Sequence, residues 1–202
     1  MHRATLKGLT IMMNSTEPIE VVNALEAMEA MNAMNAIGIN EAFDWSIPDW
    51  DREKPRRFWD PSRKLLKSIR AYQVLKQSNS PINLFRSKIV VLKYRFWSII
   101  TGAEIDLSCQ IGGGLLIPHP NGIVIHPGSI IGPNCLLFQQ VTLAGIVELG
   151  MHVDIGAGAK IIGPLKLGNH VTIGANAVVT SDADEGITLV GVPARDIRKR
   201  TS

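Results

Sequence analysis

Large rings are missing from half of this chain. Of its four Trp, two Tyr and five Phe, only Phe138 lies in the last hundred residues, whereas sixteen of the 18 glycines lie at or after Gly102. A conventional globular core buries several aromatic side chains, so the C-terminal half is not built like one, and two building plans meet near residue 100. Cysteine is scarce as well: two in 202 residues exclude a disulfide scaffold. No sign of charge is in large excess. A charged fraction of 19% and a net charge of +3 exclude a disordered polyelectrolyte and a strongly basic nucleic-acid coat, so no nucleic-acid partner is expected. No apolar run approaches the ~18 residues of a membrane span. Arg3 and Lys7 flank the start of an apolar stretch, Gly8 to Met13. That stretch is shorter than the roughly 7–15-residue core of a signal peptide, and no small-x-small cleavage site follows it. The expectation is a cytoplasmic protein with two free thiols.

The first half reads as an extension followed by helices. In residues 1–44, Ala27 to Ile37 (AMEAMNAMNAI) repeats a three-residue Ala-Met unit. Its residues favour helix, but a period of three drifts around a helix instead of holding one face. This variable extension is expected to be marginally helical or disordered. Residues 45–100 read as an α-helical cap. Asp60-Pro61 is a good helix start, since Asp caps and Pro fits the first turn, and Leu65, Leu66, Ile69, Tyr72 and Leu75 follow at helical spacing. Ser78 to Pro81 reads as a turn, with a second helix from about Asn83 to Ile100. Residues 52–76 hold nine Lys or Arg. A solvated face over a packed one accounts for them, and the buried stripe favours that account over docking on an anionic membrane or polymer. Trp45, Trp50 and Trp59 read as packing anchors.

The second half is a repeat. Every sixth residue from Ile125 through Ile131, Leu137, Leu143, Leu149, Ile155, Ile161, Leu167 and Ile173 to Val179 is Ile, Leu or Val, ten of ten. The position four after each is mostly small or β-branched, as at Ser129, Cys135, Val141 and Val153. This hexapeptide repeat is the signature of a parallel β-helix. Each hexad makes a short strand and a turn, three hexads make a triangular coil of about 18 residues, and one aliphatic side chain per side stacks on its equivalent in the next coil. A narrow prism has no room for rings and needs Gly at tight corners, which explains the composition. Cys109 and Cys135 occupy the small-residue position and read as core fillers rather than nucleophiles. A second run, Ile105, Ile111, Ile117 and Ile123, has the same period but is offset by two residues. The lattice therefore slips once, between about Pro118 and Val124, and the extra residues must bulge from the wall. That bulge contains His119, the best pointer to a site in the chain. His126 reads as a corner residue. His152 and His170 lie 18 apart and should stack on one corner above Asn134, a geometry open to a metal.

The runs GGGLLIPHPNGIVIHPGSIIGPN, QQVTLAG, DIGAGAKIIGPLKLGNHVTIGANAVVT and LVGVPAR resemble the serine acetyltransferase branch of the hexapeptide-repeat acyltransferases, over about residues 101–197. WDREKPRRFWDPSRKLL looks like the helical cap of that branch. The resemblance implies a mainly β fold: a left-handed parallel β-helix of hexapeptide repeats (residues 101–192) behind an N-terminal α-helical cap, with a basic tail at 193–202. It implies acetyl transfer from acetyl-CoA to a hydroxyl, without a metal. It also implies assembly as homotrimers, which in some members pair into hexamers through N-terminal helices, with active sites between neighbouring prisms. His119 in IPHPNG matches the catalytic histidine, Glu104 in GAEIDLS the carboxylate that orients it, and Asp106 is the fallback orienter. Neutral imidazole suits a general base near pH 7, and a carboxylate on its other nitrogen fixes the tautomer. Acetyl-CoA is expected along the prism wall at Gly145, Ala157 and Ala175, where small residues let it approach the backbone. Arg195, Arg198 and Lys199 of the tail RDIRKR are the cations expected for its phosphates.

Two departures bear on the acceptor. Pro118 stands where the branch has an aspartate before its histidine. The loop that carries an Arg-His pair to grip serine is absent, because Leu143-Ala144-Gly145 runs straight into Ile146-Val147-Glu148. On this ground the expected acceptor is a sugar hydroxyl of surface-polysaccharide synthesis, the alternative being a serine O-acetyltransferase of cysteine biosynthesis. A non-catalytic β-helix scaffold and a metal-dependent hydro-lyase stand behind both. The β-helical carbonic anhydrases use a third histidine and a His-x4-His spacing that this sequence lacks.

Overall fold

A computed structural model describes residues 4–6, 9–11, 44–77 and 80–197. The chain divides into two compact units, Met1–Asp44 and Trp45–Ser202. In the first, β1 (Ala4–Leu6) pairs antiparallel with β2 (Leu9–Ile11). The Ala27–Ile37 repeat lies outside the described residues.

The second unit begins with a strap, residues 45–60, that contains a 3-10 turn at Trp50–Glu53. Helix α1 (Pro61–Lys76) starts as its sequence requires: the Asp60 carboxylate accepts the Arg63 N–H, and Pro61 sits in the first turn, where no amide donor is needed. Its Leu65, Leu66 and Ile69 are buried. Helix α2 (Pro81–Thr101) begins two residues before the expected Asn83, because Pro81 opens the helix instead of ending a turn. It stops at Gly102, whose φ of +64° is in the left-handed region and whose N–H bonds the Ser98 carbonyl. A side chain at Gly102 would also press on Asn121, 3.2 Å from its Nδ2.

Thirteen short strands then wind a parallel solenoid of about five turns with three faces, and a fourteenth closes it. Face one stacks β3 (Glu104–Ile105), β5 (Val124–Ile125), β8 (Thr142–Ala144), β11 (Lys160–Ile162) and β14 (Val178–Val179). Face two stacks β4 (Gln110–Ile111), β6 (Ile130–Ile131), β9 (Val147–Leu149) and β12 (Leu165–Leu167). Face three stacks β7 (Leu136–Leu137), β10 (Asp154–Ile155), β13 (Thr172–Ile173) and β15 (Thr188–Val190), closed by the antiparallel β16 (Arg195–Asp196). All ten aliphatic positions of the repeat point inward and are at most 3% exposed. The small positions, Cys135 included, fill the spaces between them. Burial pushes the Cys135 thiol up to about 12, so it stays protonated and inert.

Strand register carries the information about the site. In the middle coils each strand pairs with the residue 18 further on, as in Thr142↔Lys160. Between the first two coils the spacing is 20: Glu104↔Val124, Gln110↔Ile130 and Leu116↔Leu136. The two extra residues therefore lie between Ile117 and Val124, where the offset in the sequence placed them. In the last coil the spacing falls to 16, as in Thr172↔Thr188 and Leu167↔Ala183.

Candidate active site

The inserted residues leave the wall at the corner where face three turns into face one. The bulge is tied at both ends: Gly122 N–H donates to the Gly102 carbonyl (2.9 Å), Ile123 N–H to Pro120 (3.2 Å), and the Ser62 hydroxyl of α1 to Ile117. His119 projects from it, exposed, into a cleft of about 560 Å³ whose opposite wall is the cap. Arg56, Arg57, Trp59 and Asp60 of the strap and Ile100 and Thr101 of α2 line that wall. Asp60 is committed locally: it accepts the Arg56 N–H (3.1 Å) and caps α1, and the Arg63 guanidinium lies 3.4 Å away. Arg63 in turn donates to the Arg52 carbonyl (2.9 Å). The Arg56 and Arg57 side chains are exposed at the cleft.

The candidate orienters separate. Glu104 opens β3 at the corner that carries the bulge, and its N–H donates to the Ile123 carbonyl (2.8 Å). Its side chain points outward, since Ile105 beside it points in. Asp106 lies just beyond the far end of the same strand. Its carboxylate accepts the Ser108 N–H (2.7 Å), and this bonding to Ser108 holds it below the usual carboxylate range. The histidine whose charge it feels is His126, one coil along on the same corner as Asp106, not His119.

The expected cofactor positions divide in the same way. Ala157 and Ala175 stack in one column directly below the bulge, through Gln140 N–H to Asn121 (2.9 Å), Gly158 N–H to Gln139 (2.9 Å) and Asn176 N–H to Ala157 (2.8 Å). Gly145 sits at the opposite edge of face one, with φ +83° and room for a Cβ only 3.1 Å from the Gly163 carbonyl. Arg195 is exposed on β16, its guanidinium bonded to the Ala194 carbonyl. Arg198 and Lys199 lie outside the described residues. One feature of the column escaped the sequence: the side-chain oxygen of Gln139 is buried without a hydrogen-bond partner among the described residues. Such an acceptor needs a donor from elsewhere. The walls supplied by Arg56 and Arg57 escaped it too, although Arg-Arg just before a capped helix start was a usable signal.

The corner between faces two and three carries Asn134, His152 and His170, all at positive φ (60°, 52° and 57°). They stack as the spacing predicts, with the two histidine Nδ1 atoms 2.9 Å apart. Trp45 stacks on His152 at 3.4 Å between ring centres. The Asn134 amide donates to the carbonyls of Trp45 and Ile47 and accepts the Asp49 N–H. This corner fastens the strap. Among the described residues no three His, Cys, Asp or Glu side chains gather as a metal site.

No protein-family model matches the chain. The sequence does match curated proteins: a serine acetyltransferase of Helicobacter pylori (strain J99) is 44% identical over 108 residues, 50% of this chain and 63% of that protein. A solved serine acetyltransferase in complex with CoA superposes with a TM-score of 0.61 at 25% identity, covering 91% of this chain and 78% of that one. A soybean serine acetyltransferase complexed with serine gives a TM-score of 0.57 at 29% identity, covering 68% and 57%. The chain spans about half the length of the curated relatives it matches. The solenoid is therefore serine acetyltransferase-like in sequence and matches the left-handed β-helix acyltransferase fold. The expectation of a sugar acceptor in surface-polysaccharide synthesis is corrected by these matches, which are to serine acetyltransferases. That expectation rested on an absent loop. The cleft has cations all the same, because Arg56 and Arg57 enter it from the cap.

Proposed function

We propose that this chain is an acetyl-CoA-dependent serine O-acetyltransferase of the kind that serves cysteine biosynthesis. The observation that carries the reading is the two-residue break in register, which lifts His119 off the wall into a cleft lined with cations. His119 accepts the proton of the serine hydroxyl as the oxygen attacks the thioester carbonyl. The tetrahedral intermediate collapses with cleavage of the C–S bond, and the departing CoA sulfur takes that proton from the imidazolium. Glu104, at the His119 corner with an exposed carboxylate, orients the ring and stabilises its charged form; Asp106 is held at Ser108 and does not. Acetyl-CoA runs down the column of Ala157 and Ala175, where the Gln139 oxygen accepts an amide N–H of its pantetheine arm. Arg195 and the basic tail serve its phosphates.

Arg56 and Arg57 replace the missing loop by holding the serine carboxylate. The working assembly is a homotrimer in which a neighbouring prism closes the cleft. The test is acceptor-dependent CoA release. Wild-type protein is expected to turn over L-serine, and His119→Ala to lose about 10²–10⁴-fold in kcat with its melting temperature unchanged. Absence of L-serine turnover by the wild type overturns the reading.

A further inference from the structure

Helix α2 presents to solvent a face that the cap and prism leave bare. Ile82, Phe85, Ile89, Leu92, Phe96 and Ile99 are each between 45% and 81% exposed. Their spacing alternates three and four residues, so at 3.6 residues per turn they form one stripe along the helix. The inward arc is a different set: Tyr94 donates to the Ile105 carbonyl (2.6 Å), Ser98 to Ala103 (2.6 Å), and Trp97 packs on the core. Between the two arcs lie the only charged residues of α2, all cations. At roughly 100° per residue, Arg86 and Lys93 flank the stripe on one side and Lys88 and Arg95 on the other.

A second copy is a poor occupant. Pairing this face with itself would set those cations, in the flanking positions of the seam, against their own equivalents. An anionic surface gains from both features: the rings and aliphatic chains enter the interface, and the Lys and Arg stems reach sideways to phosphates. We propose that α2 is an interfacial docking helix which lays this stripe on an anionic phospholipid bilayer, without crossing it. No helix among the described residues is long and apolar enough to cross a membrane.

The experiment is co-sedimentation of the full chain with vesicles of phosphatidylcholine alone and with vesicles in which about a third of the lipid is phosphatidylglycerol. The protein should sediment with the anionic vesicles only, and less as salt is raised. Arg86→Gln with Lys93→Gln should weaken binding about 10- to 30-fold. Phe85→Ser with Leu92→Ser should weaken it at least as much, and neither pair should change turnover measured without lipid. Light scattering of each variant reports assembly in parallel. The proposal falls if the wild type ignores anionic vesicles, or if both pairs bind as the wild type does. It also falls if the Phe85/Leu92 pair alters the oligomer while no form binds lipid, because the stripe then joins copies of the chain.

Discussion

The cap and the prism are held by different physics, and each shows what the other lacks. The prism coheres through a ladder of aliphatic side chains, ten in register and none above 3% exposed. Its strands are two or three residues long and would be worthless singly; they persist because every coil stacks on the next. The cap packs Leu65, Leu66 and Ile69 into the same core but adds what the prism lacks, polar contacts at a few points. Glu53 is the chief one: it grips the Arg70 guanidinium through both oxygens (2.6 and 2.9 Å) and accepts the buried Leu115 N–H (3.0 Å). Arg70 also donates to the carbonyls of Ile111 and Gly112 on the prism. Charge divides the same way. Residues 45–101 hold 13 of the 21 Lys and Arg but four of the 18 acidic residues. The cations are thus concentrated in the cap, and the apolar prism supplies the rigid frame.

Two substitutions should separate these modes. Leu137→Ala removes a fully buried side chain from the stack and should cost about 3–4 kcal/mol, lowering the melting temperature of the whole solenoid. Glu53→Ala leaves the Arg70 charge without its carboxylate partner and the Leu115 N–H without its acceptor and should cost about 3 kcal/mol, but locally: proteolysis should cut between about Trp50 and Asp60 while the β signal melts almost as before. Equal losses of the β signal in both variants would make cap and prism one cooperative unit and end the distinction.

The next effect concerns function at the boundary between the regions. Arg56→Ala with Arg57→Ala should lower kcat/KM for L-serine by about 10–100-fold, the worth of one or two charge-assisted hydrogen bonds to a carboxylate. Turnover of 2-aminoethanol, which lacks the carboxylate, should stay as it was, and so should KM for acetyl-CoA. A raised KM for acetyl-CoA with an unchanged preference for serine would assign these cations to the nucleotide instead.

The prism was legible because its rule is strict. A six-residue period with a two-residue slip gave the inward residues, the second-coil register and the place of His119, since a single insertion in a lattice can go nowhere but out. The closing coil was not legible: two residues are missing there, after Val179, and the aliphatic frame simply stops. The cap obeys no period. The strap from Trp45 to Asp60 has no repeating pattern, and its role comes from partners such as Asn134, 89 positions from Trp45 in sequence. For that reason no period singles out Arg56 and Arg57, and what the sequence offers on the acceptor is Pro118 and an absent loop.

The smallest effect tests whether the strap-holding corner responds to pH. Burial lowers the pKa of His152 below its ordinary 6.5, outweighing the pull of Asp154, with His170 and Arg52 acting in the same direction as burial. The folded protein therefore keeps His152 neutral where the unfolded chain would take a proton. Above pH 6.5 neither state is protonated and the contribution to stability is complete; as pH falls from 6.5 toward the lowered folded value, the unfolded state gains protons first and stability declines. His152→Asn should flatten the melting temperature over this interval, by no more than about 2–4 °C. Asn tolerates the left-handed backbone, as Asn134 does on the same corner at φ 60°, so the substitution removes the titration without straining the turn. Glu53→Ala should leave this slope in place, because Trp45 stays stacked on His152 through the Asn134 bonds. Loss of the slope in Glu53→Ala as well would mean that the strap leaves as one piece, and that a single carboxylate fastens what Asn134 alone does not.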